Sequence, residues 1–203
     1  MPVDYVTPNA IPNGSLPDGS PNQWLGGKAG EGIIADLHGK WYTAAYRGRV
    51  FSTGVLIAGV TIPVNTTTAP TFTLFNPLGS GVNLELISID VGWPAAAASV
   101  VGTLLGKTGV QTPTSVTAGS IYSTLIGAGA VPQGKFYTAA TIVAITQHMP
   151  LITMSTVTDT MNPSHVDFDG AIVLAPGSLF TLTSTPVQTA VALPALRWAE
   201  FPV

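Results

Sequence analysis

The chain contains no cysteine. That excludes a disulfide scaffold, a thiol nucleophile and a cysteine-ligated zinc site. Charge is scarce as well. There are 7 Lys and Arg and 10 Asp and Glu, 8% of 203 residues, where an ordinary soluble domain carries about 25%. A lone monomer so poor in charge has little to keep it apart from its neighbours. The composition therefore points to a subunit of an assembly, with much of its surface covered by other protein. The seven basic residues, Lys28, Lys40, Arg47, Arg49, Lys107, Lys135 and Arg197, are scattered. Phosphate neutralisation needs clustered cations, so nucleic acid is not an expected partner.

Long apolar runs are missing too, although 46% of the residues are hydrophobic. The longest, such as Gly54–Val64, are broken by Gly, Thr and Pro. None reaches the roughly 20 residues of a membrane-spanning helix. The opening Met-Pro-Val-Asp-Tyr-Val-Thr-Pro has neither a basic n-region nor an apolar h-region, so no signal peptide is expected. The strand-like segments lack the aromatic girdles of a membrane barrel. No membrane partner follows. No repeat of fixed period suggests a solenoid. Gly26-Gly27-Lys28-Ala29-Gly30 lacks the spacing of a phosphate loop.

What is present divides in two. Residues 1–48 alternate Pro2, Pro8, Pro12, Pro17 and Pro21 with Asn, Gly and Asp. Proline fixes φ and removes a donor, so this reads as an extended N-terminal arm. Its aromatic anchors are Tyr5, Trp24, Trp41, Tyr42 and Tyr46. The arm lies across its own domain or a neighbour's.

Residues 49–203 read as one β domain. Val50–Ile57 is apolar and β-branched, and Val60, Ile62 and Val64 alternate with Thr61, Pro63 and Asn65. Phe72 and Leu74 alternate with threonines up to Asn76-Pro77-Leu78-Gly79-Ser80-Gly81, a hairpin-like connection. Beyond it, Val82, Leu84, Leu86 and Ser88 oppose Asn83, Glu85, Ile87 and Ile89. Residues 92–139 are punctuated by glycine too often for helix, and read as a loop-rich excursion with short strands. Strands resume at Tyr137–Gln147 and Pro150–Val157, and Asn162–Gly170 reads as a polar connection. Ala171–Ala175 and Ser178–Ser184 flank Pro176-Gly177 as another strand pair, and Val187–Ala199 closes the domain, with Pro194 implying an edge or a bulge. About eight strands with long crossovers make an all-β, jelly-roll-like two-sheet sandwich the expected fold.

Chemistry-bearing residues are few. If extended, His165, Asp167 and Asp169 share one face. They form either a cation site or the polar outer side of a strand whose inner side is Val166 and Phe168. His38, His148 and His165 could in principle join Asp36, Asp90 or Asp159 and a serine, but no Gly-x-Ser-x-Gly elbow is present and residue types alone carry no triad geometry. No catalytic, cofactor or metal site is expected, and the chain is read as a non-enzyme. The partner-interface candidates are Tyr5, Trp24, Leu25, Trp41, Tyr42, Tyr46, Arg47 and Arg49, because Arg and aromatics are enriched at interfaces. Trp198 and Phe201 either anchor the last strand in the core or plug a neighbour's pocket.

Two segments carry a resemblance. The stretch Asp169–Leu182, an apolar strand, a Pro-Gly turn and a second alternating strand, resembles the late hairpin of viral jelly-roll structural proteins. The ending Leu196-Arg197-Trp198-Ala199-Glu200-Phe201-Pro202-Val203 resembles virion proteins of tailed bacteriophages. Ala45–Phe51 and Phe75–Gly81 are similar to the same group, and together these cover about half the chain. The resemblance implies a capsid decoration or cement protein. It would be made in the host cytoplasm, sit on the capsid exterior as a homotrimer, and bind between major capsid subunits. A head-fibre or tail-associated module that binds a receptor or carbohydrate is the alternative reading.

Overall fold

The computed structural model describes residues 39–55, 58–64, 72–93, 102–127, 130–143, 145, 148–154, 164–185 and 191–203. The chain divides into two compact units, Met1–Lys40 and Trp41–Val203. The second unit begins eight residues before the expected domain start at Arg49. It opens with a short helix, α1 (Tyr42–Tyr46), where an extended arm was expected. Gly48, at φ 68°, ends the helical turn in the left-handed region that glycine tolerates.

Twelve strands follow among the described residues: β1 (Val50–Gly54), β2 (Val60–Thr61), β3 (Thr73–Phe75), β4 (Val82–Gly92), β5 (Gly102–Val110), β6 (Thr114–Ala118), β7 (Ile121–Ser123), β8 (Lys135–Thr141), β9 (His148–Met154), β10 (Ser164–Leu174), β11 (Ser178–Ser184) and β12 (Val191–Pro202). They form two antiparallel sheets packed as a sandwich. The first runs β10-β4-β12-β1-β7, with β2 also on β12; the second runs β6-β8-β3-β11-β5-β9. Three pairings repeat one theme: β3 with β11, β4 with β10, and β5 with β9. A two-stranded ribbon thus passes from the second sheet to the first and back.

The core between the sheets holds Phe72, Leu74, Phe136 and Phe180 from one side and Phe51, Leu86, Leu196 and Trp198 from the other. Trp198 is fully buried, so it anchors the last strand in the core. Phe72 and Phe136 meet edge to face at 4.8 Å. This geometry suits the opposite charges of ring face and ring edge.

Several expectations need correction. The turns at Asn76–Gly81 and Pro176-Gly177 are not hairpins. Each carries the chain from one sheet to the other, and β10 and β11 do not pair. Asn76 ties the two arches together. Its side-chain Nδ2 donates to the carbonyls of Val82 and Leu174, both at 2.8 Å, and its carbonyl accepts from the Gly177 amide at 2.7 Å.

Along β4 the alternation slips. Ser88 pairs with Arg197 and Leu86 with Trp198, so Ile87 is an extra residue. The bulge puts Ile89 and Val91 in the core with Leu84 and Leu86, and turns Ser88 outward. One inserted residue reverses the phase of everything beyond it.

Segment 92–139 contributes β5, a nine-residue strand inside the second sheet, as well as β6, β7 and the start of β8. Its glycines are sites of close approach. A Cβ on Gly106 would stand 2.8 Å from the Phe180 ring, and one on Gly119 2.4 Å from Phe136. The expected polar connection 162–170 overlaps the first half of β10, whose outward residues are polar. Pro194 lies on an interior strand. It stands where one side of β12 changes partner, between the β1 pairs that end at Ala195 and the β2 pairs that end at Ala192.

Candidate interaction surface

Phe51, Leu196 and Trp198 face the core, so their neighbours Ser52 and Arg197 face outward on the first sheet. Tyr122 pairs with Ser52 and shares that outer face. The face has three parts.

At one end, Val50, Ile87 and Ala199 form a small apolar cluster. Trp41, Ala44, Ala45 and Phe201 pack on it. This is why α1 forms where it does: its small, half-buried alanines lie against the sheet and its tyrosines point away. Tyr42 and Tyr46 are 45% and 63% exposed and stack with ring centroids 5.9 Å apart. Tyrosines one helical turn apart meet in this way.

Of the interface candidates, Tyr42, Tyr46 and Arg47 are exposed. Trp41 and Arg49 are half-buried against the sandwich. The Arg49 carbonyl accepts the Glu200 amide at 2.8 Å, which fixes the chain entering β1 to the end of β12. Tyr5, Trp24 and Leu25 lie outside the described residues.

The middle of the face is polar. Asp90 on β4 takes His165 Nδ1 at 2.7 Å and Arg197 Nη2 at 3.1 Å. Arg197 Nη1 reaches Ser88 Oγ at 3.4 Å. His165, Asp167 and Asp169 are exposed on β10, opposite half-buried Val166 and buried Phe168, so their alternation is that of an edge strand. Among the described residues, no group of three His, Cys, Asp or Glu is placed to hold a metal ion. His165 meets Asp90, and among the described residues no serine completes a triad with them. His38, Asp36 and Asp159 lie outside the described residues, as does the side chain of His148.

The third part is the β7 edge, which composition and pattern did not single out. Here an open groove of about 850 Å³ is lined by Ser52, Ile121, Tyr122, Leu125, Ile126 and Ala130 among others. Ile126 is 95% exposed and Tyr122 61%. The available signal was an uncharged run, Thr117 to Gln133, with apolar residues on no fixed period.

Beneath the surface, Glu200 is buried. Its Oε1 accepts from Gly134 N at 2.9 Å and Trp198 Nε1 at 3.2 Å, and its Oε2 accepts from Gln133 N at 2.9 Å. Three N–H donors hold this carboxylate, so it clamps the loop before β8 to the terminal strand. On the far side of the second sheet, Lys107 is buried beside its pairing partner Thr181, and burial lowers its pKa. Burial likewise raises the Tyr137 phenol. Among the described residues, no helix is long and apolar enough to cross a membrane.

No protein-family model matches the chain, and neither a curated protein nor a solved structure matches it.

Proposed function

We propose that this protein is a structural subunit of a virus particle, a capsid decoration protein of the tailed-phage kind that binds between major capsid subunits and holds the head together. The observation that carries the reading is a sandwich with 8% charged residues that exposes Tyr42 and Tyr46 on α1, Tyr122 on β7 and Ile126 just beyond β7. Large exposed apolar side chains on a charge-poor chain favour burial against protein. The ribbon wound between the sheets supports the jelly-roll element of the proposal. The mechanism is mechanical. Each apolar square ångström buried contributes roughly 25 cal/mol before association costs, and the sum resists separation of the capsid subunits. The test compares heads with and without the protein. Loss of thermal and osmotic resistance on stripping supports the proposal, and unchanged resistance overturns it.

A second reading draws on exposed His165 and Arg197 around half-buried Asp90, whose donors and acceptors suit hydroxyl-rich ligands. On that reading the chain is a carbohydrate- or receptor-binding module of a head fibre or tail. Glycan-array binding that disappears in Arg197→Ala would favour it over the cement reading.

A further inference from the structure

Between β7 and β8 the chain makes an excursion whose two ends are pinned at one place. At the first end, the Thr124 amide and hydroxyl both donate to the Val50 carbonyl, at 3.0 and 3.1 Å. At the second, the amides of Gln133 and Gly134 donate to the Glu200 carboxylate, each at 2.9 Å. Val50 pairs with Ala199, and the Glu200 amide donates to the Arg49 carbonyl at 2.8 Å. Both ends therefore close on the same end of the β1–β12 ladder. A surface loop with adjoining ends is held by those ends and by the packing of its own side chains.

Here the packing is slight. Among the described residues between the pins, Ala130 packs against the core, whereas Ile126 and Val131 are 95% and 77% exposed. The hold falls on the ends, and Glu200 is the stronger of the two. It is buried, and all three of its partners, Gln133 N, Gly134 N and Trp198 Nε1, are donors. An ionised carboxylate only accepts, and bonds to it are roughly twice as strong as neutral ones. Gly134 lets the backbone come this close, because a Cβ there would stand 3.0 Å from Leu84 and 3.2 Å from Glu200 Oε1. The segment also shapes the groove beside β7. Leu125, Ile126 and Ala130 line it together with Ser52, Ile121 and Tyr122 of the sheet.

We propose that Glu200 is the positioning residue of the apolar surface beyond β7. Its carboxylate latches segment 124–134 onto the sandwich, and without the latch that segment opens locally while both sheets stay folded. A segment with few buried side chains opens at lower cost than the core. Held in place, it presents Ile126 and Val131 in a fixed position, and a surface already ordered loses less entropy when a partner covers it. The use of that surface rests on the assembly-subunit reading above; the latch itself does not.

The test follows amide hydrogen exchange residue by residue in the full wild-type chain and in Glu200→Gln. The variant is close to isosteric, yet its amide nitrogen turns a donor toward at least one of the three N–H groups. In the wild-type chain, Gln133 and Gly134 should be protected although they lie outside any strand, while Ile126 and Val131 exchange almost freely. In Glu200→Gln, protection of Gln133 and Gly134 should fall at least about 10-fold further than that of Leu86 and Leu196 in the first sheet. Equal losses at all four positions overturn the proposal, because Glu200 then supports the sandwich as a whole. Fast exchange of Gln133 and Gly134 in the wild-type chain overturns it without any variant. Head binding is scored separately. Weakening by about 10-fold in Glu200→Gln supports the positioning role, and unchanged binding by a variant whose segment has opened overturns that role. Wild-type protein that does not bind heads sinks the assembly reading and leaves the latch to be judged on exchange alone.

Discussion

The Asn76 arches and the β7 edge are both places where the chain leaves a sheet, and they are finished in opposite ways. At the arches a buried asparagine answers two carbonyls with its side chain and one amide with its backbone, and the chain turns back into the core. At β7 the ladder stops, apolar side chains stand in the open, and no charge guards the edge. The first arrangement ties both arches to one buried side chain. Polar closure marks where the fold is specified, and the β7 side shows where large apolar side chains stay in solvent.

Substitutions at the closed region should destabilise the protein. The largest effect is expected at Trp198, which is fully buried and packs on Phe51 at 6.0 Å. Trp198→Ala should cost about 3–5 kcal/mol through lost transfer energy and a cavity, read as a lower urea midpoint. It also removes one of the three donors to buried Glu200.

Asn76→Ala comes next. It leaves the carbonyls of Val82 and Leu174 without their Nδ2 partner, for an expected cost of about 2–3 kcal/mol. Protection of the neighbouring amides from hydrogen exchange should fall on both arches together. A loss on one arch alone would show that Asn76 is not the tie between them.

Much of the architecture was legible before the structure, for physical reasons that also explain the failures. Period-two alternation in Val82–Leu86 and Val166–Phe168 reports a strand with one buried face, and it does so without knowledge of partners. What it cannot report is a bulge. Ile87 looks like one more step in the pattern, and only the pairing of Ser88 with Arg197 reveals the reversed phase. Gly106 and Gly119 read as breakers because sequence counts conformational freedom. In the fold they admit the Phe180 and Phe136 rings. The Pro-Gly turn looked like a hairpin because a turn between strands carries no mark of which sheet each strand joins. Tyr42 and Tyr46 were found as aromatics beside Arg47 and Arg49, but β7 was missed because three residues give no periodicity to detect.

At the open face, stability should barely respond. Asp90→Asn weakens contacts to His165 and Arg197 whose side chains are 53% and 48% exposed. Exposed ion pairs contribute about 0–1 kcal/mol, so the urea midpoint should shift by that much or less. Ile126→Ser, at a side chain almost wholly in solvent, should stay within about 0.5 kcal/mol. A shift near that of Asn76→Ala at either position would erase the contrast between closed and open regions.

The smallest effect lies in alkaline solution, where Lys107 and Tyr137 pull in opposite directions. Burial lowers Lys107 below the ordinary lysine value of about 10.4. The unfolded chain therefore keeps this proton to higher pH than the folded one, and stability from this group rises as pH climbs toward that value. Burial raises Tyr137 above the ordinary tyrosine value of about 10. The folded chain keeps that proton longer, so stability from this group is lost as pH passes about 10. Urea midpoints between about pH 8 and 11 should separate the two. Lys107→Met should remove the rising component and steepen the alkaline decline, while Tyr137→Phe should flatten it. If both variants follow the wild-type curve, neither group titrates differently on folding. Ile126→Ser, which removes no titratable group, should leave the alkaline curve unchanged.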